Sequence, residues 1–390
     1  MIRAAVALST RADTARAALE AGGGVAERLG RPADWCVAFA TWEHAAHLTT
    51  LQETLAGVVE TPYVVGCSAA GVLAAGREVE QGPAVAVLGV VSDRLRGTPF
   101  LFQDAGDQGM TAGIRLGQRL QGSRQSDVIL VWADPYSVRP DHLVRSLDAM
   151  LGGVPVIGGA ASARGTESTT FQFCGNETDH RAVAGLRLGG EFKHHVGVTQ
   201  GCRPLGAPLR VTGAHDNLIL EVEGRPALEV LREQAPDGLL DDTTTAFHYL
   251  FVGRLPEPPT EGEAPDGYLV RNIVAVDPRA GVLGISDYVE EGEHIVFAHR
   301  EPDAAREDLS RMLGTLAPER TGTDYRFGLY FNCLARGSSL YREPGVDSRR
   351  IAESFPDVPI LGFFCNAEIG PLQGQNRLFT YTGVLSLFGE

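Results

Sequence analysis

The sequence predicts a mixed α/β protein of two lobes, each of mixed parallel and antiparallel sheet flanked by helices. Three observations carry this. A strand, helix, strand unit with apolar strands recurs along the chain. Stretches between the copies alternate in the period-2 manner of antiparallel strands. And 390 residues that are 44% hydrophobic and 21% charged suffice to bury one large core or two ordinary ones.

The chain opens with a short strand, RAAVALST, a Thr and Asp cap, and the apolar-periodic run TARAALEAGGGVAERLG, a helix closed by glycine. Residues 35 to 71 then give a buried-type strand, a loop, an amphipathic helix, a proline and a second strand ending in GCSAAG. The same order returns in DVILVWADPYSVRPDHLVRSLDAMLGGVPVIGGAASA, residues 127 to 163. A constant offset of 92 sets Cys36 on Val128, Phe39 on Val131 and Gly66 on Gly158. A third copy has FGLYFNCLARG as strand and loop, RRIAESFPD as helix and VPILGFFCNAEIGP as second strand, with Cys333 on Thr41.

Continuous apolar runs in both strands of each copy fit a parallel crossover buried on both faces. The segments after these strands then share one edge: Thr41 to His44 with Gly66 to Ser68, Ala133 and Asp134 with Gly158 to Ala160, and Asn332 to Gly337 with Phe363 to Glu368. Ligands of such sheets favour that edge. Elsewhere Gly175 and Asn176 mark a hairpin, 256 to 267 is the most loop-like stretch, and the DPRAG turn sits in a meander.

A formal charge of −15 disfavours nucleic acid and anionic membrane as partners. Lys193 is the sole lysine, which leaves one position for a lysine Schiff base. The six cysteines form no C-x-x-C pair, so neither a disulfide framework nor a structural zinc cluster is indicated. No secretory h-region and no window of about 18 uninterrupted apolar residues occurs, and a cytoplasmic location is expected.

The motifs GCSAAGVL, VPVIGGAAS, TQGCRPLG, YLVRNIVAVDPRAGVLGISDYVEEGEHIVFAHR, FNCLARGSSLY and PILGFFCNAEIGP, in this order, resemble the FIST domain family, named for F-box and intracellular signal transduction proteins. The likeness spans residues 30 to 388. It implies an amino-terminal and a carboxyl-terminal segment, hence lobes of 1–225 and 226–390, and a sensory input that binds a small ligand such as an amino acid. No kinase, methyl-accepting, cyclase or F-box segment is present, so a stand-alone sensor signalling to another protein is expected. Ala367 stands where the family carries glycine, which narrows the approach to that turn.

Candidate ligand-binding residues are Cys67, Ser68, Gly158, Gly159, Asn332, Cys333, Arg336, Cys365, Asn366 and Glu368. Arg336 and Glu368 would hold the carboxylate and ammonium of an amino acid, or else pair with each other across two loops. No catalytic residue, metal ligand or cofactor is assigned. The alternatives are a non-catalytic interaction scaffold and a cysteine-dependent enzyme using Cys67 or Cys333; Gly159 and Ala160 at the second copy's turn argue against nucleophilic chemistry there. Glu43, His44 and His47 have helical spacing for a metal without a third ligand and read as a solvated helix start. His194 and His195 fall on opposite strand faces. Asp241 and Asp242 read as a loop or helix cap.

Overall fold

A computed structural model describes residues 1–106, 110–165, 167–241, 246–259 and 267–390. Asp242 and most of the loop-like stretch at 256–267 lie outside the described residues. The chain forms two compact units: 1–199 with 309–378 and 382–390, and 200–308 with 379–381. This partition differs from a linear cut at 225, because the carboxyl-terminal strands pair within the first unit.

The first unit contains three copies of a larger repeat than the sequence suggested. Copy one runs β1 (Ile2–Ser9), α1 (Thr14–Leu29), β2 (Trp35–Thr41), α2 (Leu48–Val58), β3 (Val64–Ala69), the hairpin β4 (Val72–Ala74) and β5 (Arg77–Val79), then β6 (Val85–Ser92). Copy two runs β7 (Leu95–Phe102), α3 (Met110–Arg119), β8 (Val128–Ala133), α4 (Pro140–Leu151), β9 (Val156–Ala160), the hairpin β10 (Gln172–Cys174) and β11 (Glu177–Asp179), and β12 (Val183–Gly190). Copy three begins with β13 (Lys193–Gln200).

The second unit is inserted there. Its strands are β14 (Cys202–Pro204), β15 (Leu209–His215), β16 (Leu218–Val222), β17 (Arg225–Pro226), then α5 (Ala227–Gln234), β18 (Leu250–Leu255), β19 (Leu269–Asp277), β20 (Val282–Ile285) and β21 (His294–Arg300). The order β21-β15-β16-β20-β19-β18 closes through a β18 to β21 pairing. Closure leaves those six strands no free edge. Val211, Ile219, Leu231, Val252, Leu283 and Phe297 fill its core.

Copy three resumes within α6 (Pro302–Thr315), whose residues up to Asp308 belong to the second unit, and continues with β22 (Tyr325–Cys333), α7 (Val346–Ser354), β23 (Ile360–Cys365), the hairpin β24 (Ala367–Leu372) and β25 (Gln375–Phe379), and β26 (Thr382–Gly389). The three six-stranded sheets have one plan: β1-β6-β2-β3-β10-β11, β7-β12-β8-β9-β24-β25 and β13-β26-β22-β23-β4-β5. In each, the inner pair (β2/β3, β8/β9, β22/β23) is parallel. The hairpin after each second strand leaves its own sheet: β4 and β5 of copy one join copy three, β10 and β11 of copy two join copy one, and β24 and β25 of copy three join copy two.

Local signals explain these elements. Asp13 caps α1 by accepting the Arg16 N–H at 2.8 Å, and Gly30 ends it in the left-handed region. Ala17, Ala18, Ala21, Val25 and Leu29 recur at helical spacing and are buried. Gly66 pairs with Ala38, Gly158 with Val131 and Gly362 with Tyr330. A Cβ at these glycines would lie 1.7, 1.9 and 2.0 Å from the partner's carbonyl oxygen, which excludes any side chain. The same pairing shifts the repeat: Gly66 maps onto Gly158 at offset 92, but Ala38 maps onto Val131 at 93. The connection in copy two is one residue shorter, and the true equivalents are Phe39, Trp132 and Phe331.

Candidate functional site

The carboxyl-terminal ends of the three parallel pairs converge on one open cleft of about 660 Å³. Every copy contributes. Glu43, Ala70, Gly71 and Glu80 come from copy one, Ala163 and Arg164 from copy two, and Leu334 and Phe364 from copy three. Below it Ser162 joins all three, accepting the Ala70 N–H at 2.8 Å and donating its hydroxyl to the Phe364 carbonyl. The Phe364 N–H donates to the Gly71 carbonyl and the Asn366 N–H to the Ala160 carbonyl, at 2.9 and 3.0 Å.

Arg164 is the cation of the cleft. Its Nη1 donates to Glu43 Oε1 at 2.7 Å, and its Nη2 to the Ala70 and Glu80 carbonyls at 2.7 and 2.6 Å. About a third of its side chain is exposed, as is a third of that of Glu43. The Glu80 carboxylate accepts the Ser338 N–H at 3.0 Å and its hydroxyl at 2.6 Å. The cleft therefore offers a fixed guanidinium, two carboxylates and the apolar Leu334 and Phe364 side by side.

The residues singled out from sequence lie one to five positions along the chain from this lining, and all but the exposed Asn366 are buried beneath or behind it. Cys67 is fully buried on β3, and burial pushes its thiol well above the usual range. The Ser68 hydroxyl oxygen accepts the Phe171 N–H at 2.9 Å, holding the segment that leads into β10. Gly158 makes room for a carbonyl, and Gly159 for the Cys365 sulfur, 2.4 Å from where its Cβ would stand. Cys333 and Cys365 are register partners. Burial first, then the charges of Glu368, Cys67 and Cys333, push the Cys365 thiol well up. Asn366 is exposed, and Ala367 is buried opposite Ala160.

Glu368 is wholly buried. Its Oε2 accepts the Thr382 N–H at 3.3 Å and hydroxyl at 2.8 Å, while Oε1 has no partner among the described residues. Burial, opposed by those hydrogen bonds, raises its carboxyl to about 8. Thus at neutral pH it is largely protonated.

Arg336 is turned away from the cleft and pairs with Asp347, not with Glu368 across the two loops. It is 1% exposed, and its Nε and Nη2 donate to Asp347 Oδ2 and Oδ1 at 2.9 and 3.1 Å. Tyr341 accepts from Nη2 at 2.6 Å and donates to Asp347 at 2.7 Å, and Tyr330 donates to Asp347 at 3.0 Å. Burial alone would raise the Asp347 carboxyl; the Arg336 charge and these hydrogen bonds bring it below its ordinary value. Asn332 lies beside this network, its Oδ1 within 3.3 Å of the Tyr330 hydroxyl.

One further expectation changes. His44 is buried, not solvated, because its Nδ1 bonds the Thr14 hydroxyl at 2.9 Å. Among the described residues no group of three His, Cys, Asp or Glu side chains is set to hold a metal, and no helix is long and apolar enough to cross a membrane. Sequence reading missed Arg164 because it lies one residue beyond the second copy as bounded at 127–163, and Glu80 because it lies nine beyond the first as bounded at 35–71. The Ala-Arg-Gly string at 163–165, repeated at 335–337, was the available signal.

Family models match nearly end to end, FIST N over residues 34–225 and FIST C over 227–371. The chain belongs to the FIST family. FIST domains are generally sensory, signal-transduction domains. Similar proteins include an uncharacterized protein of Mycobacterium tuberculosis, 31% identical over 99% of this chain and all of that one. Another from Mycobacterium bovis is 29% identical over 99% of both chains. A solved structure, the cyanuric acid hydrolase from A. caulinodans, matches 47% of this chain and 70% of that one at 10% identity and a TM-score of 0.25, too low to carry any argument.

Proposed function

We propose that this FIST protein is a cytoplasmic small-ligand sensor and that its ligand occupies the cleft at the strand ends. The observation that carries this is the convergence of loops from all three copies on one cleft holding Arg164, Glu43 and Glu80. Arg164 is already fixed by two backbone carbonyls, so a ligand carboxylate displaces only the exposed Glu43 contact. The released Glu43 and the neighbouring Glu80 then suit an ammonium, and Leu334 and Phe364 an apolar side chain. That set matches a free amino acid through charge-assisted hydrogen bonds. Because Glu80 also holds Ser338, occupancy of the cleft bears on the loop of copy three, a route for signalling to a partner protein.

Six free cysteines support a reducing compartment. Burial of Cys67, which pushes its thiol well up, and burial of Cys333 weigh against a cysteine-dependent enzyme at either residue. The test is a thermal-shift screen against the common amino acids, followed by calorimetry on each hit. A ligand at a hundredfold excess over its dissociation constant stabilises the native state by about 2.7 kcal/mol. No stabilisation by any amino acid would remove this ligand class, and stabilisation only by a partner protein would favour a scaffold.

A further inference from the structure

A second cavity, of about 420 Å³, lies in the first unit between β1, the β4–β5 hairpin and the segment that follows α7. We propose that it binds an amphipathic monocarboxylate, with the apolar tail inside and the carboxylate on Arg28. Its size falls within the range of roughly 300 to 1,000 Å³ typical of small-molecule sites. The small side chains of Ala4, Ala74 and Ala352 leave the space, and Leu73, Ile351 and Phe355 wall it. The two polar residues inside are already engaged. The Tyr330 hydroxyl donates to Asp347, and the Ser348 hydroxyl to the Gly76 carbonyl, at 3.0 and 3.3 Å. The interior therefore rewards an apolar occupant.

The mouth supplies the charge. Arg28 is exposed, and its Nη1 donates to the Val6 and Gly24 carbonyls at 2.8 and 3.3 Å, which fixes the guanidinium at the rim. Among the described residues no carboxylate pairs with it. Asp357 is the one acidic side chain of the lining; it is exposed and has no comparable anchor. A cation held in place beside an apolar chamber, without a protein counter-ion, selects an anionic head group.

The test compares octanoate, octanol and octylammonium, three probes of one tail length, by titration calorimetry on the full chain. Octanoate should bind most tightly. Arg28→Ala should weaken octanoate about tenfold, the loss of one charge-assisted bond, and leave octanol nearly unchanged. Asp357→Asn should tighten octanoate about two- to threefold, whereas a site built for a cation would instead lose octylammonium. Ala4→Phe and Ala352→Leu, which fill the chamber, should abolish binding of all three probes. If Ala4→Phe fails to fold, Ala352→Leu on the half-exposed face of α7 decides. Octylammonium binding as tightly as octanoate, octanoate retained in a folded filled variant, or no binding of any probe would overturn the proposal. None of these outcomes bears on amino acids in the Arg164 cleft.

Discussion

Arg336 and Asp347 lie eleven positions apart in the chain, and both are buried. Removing one member of such a pair strands the other's charge in a low-dielectric interior, which costs about 3 to 5 kcal/mol. Arg336→Ala should therefore lower stability by that amount in urea titrations. Arg336→Ala combined with Asp347→Ala should cost much less than the sum of the single changes. Additive losses would contradict the pairing. Glu368 gives a pH signature of opposite origin. Its folded value of about 8 lies above the 4.5 of the exposed group, so folding holds a proton that the unfolded chain releases. Stability should fall as pH rises between those values, by up to about 1.4 kcal/mol per unit for one proton. Glu78, raised to about 7 by burial and by the nearby Asp347 charge, adds to the decline below pH 7. Glu368→Gln keeps an acceptor for Thr382 and should flatten the slope between pH 7 and 8; an unchanged slope would show that Glu368 ionises freely in the native state.

At the scale of elements, the parallel pairs depend on glycines that cannot be replaced. Gly66→Ala would drive a Cβ into the Ala38 carbonyl, and β2 and β3 must separate to admit it. The expected loss is at least the roughly 1 to 3 kcal/mol of an overpacked core. Gly23, within α1, has nothing within 4 Å of its Cβ position. Gly23→Ala should stabilise by about 0.5 to 1 kcal/mol through helix propensity. Equal melting shifts for the two variants would refute the register. The strands and helices were legible because their apolar periods, caps and glycine stops are local. The β8 offset was not, since one residue fewer in a connection moves the pairing while leaving the apolar run looking the same.

For the whole molecule, the threefold repetition could be read from the chain, but the exchange of hairpins among sheets could not. Val72 to Val79 carry the same alternation whether they pair with β3 or with β23, and only the packed core decides. The same exchange explains why the candidate site was legible to its edge and not to its residues. Strand ends announced where the copies meet, yet Arg164 reaches across to copy one, while Arg336 and Glu368 turn inward to partners on α7 and β26. Likewise the second unit interrupts copy three between β13 and the second half of α6, so the family division at 225 and the compact units fall in different places.

The central claim is that the cleft around Arg164 is the sensing site. Calorimetric titration of the best amino-acid hit into the parent, Arg164→Ala and Arg336→Ala proteins tests it most directly. Loss of the Arg164 guanidinium should weaken binding by one to two decades, the worth of a charge-assisted bond of about 1.5 to 3 kcal/mol, with little change in the ligand-free melting temperature. Arg336→Ala should lower that melting temperature and, wherever it stays folded, leave affinity close to the parent's. The same affinity in Arg164→Ala and the parent would contradict the account.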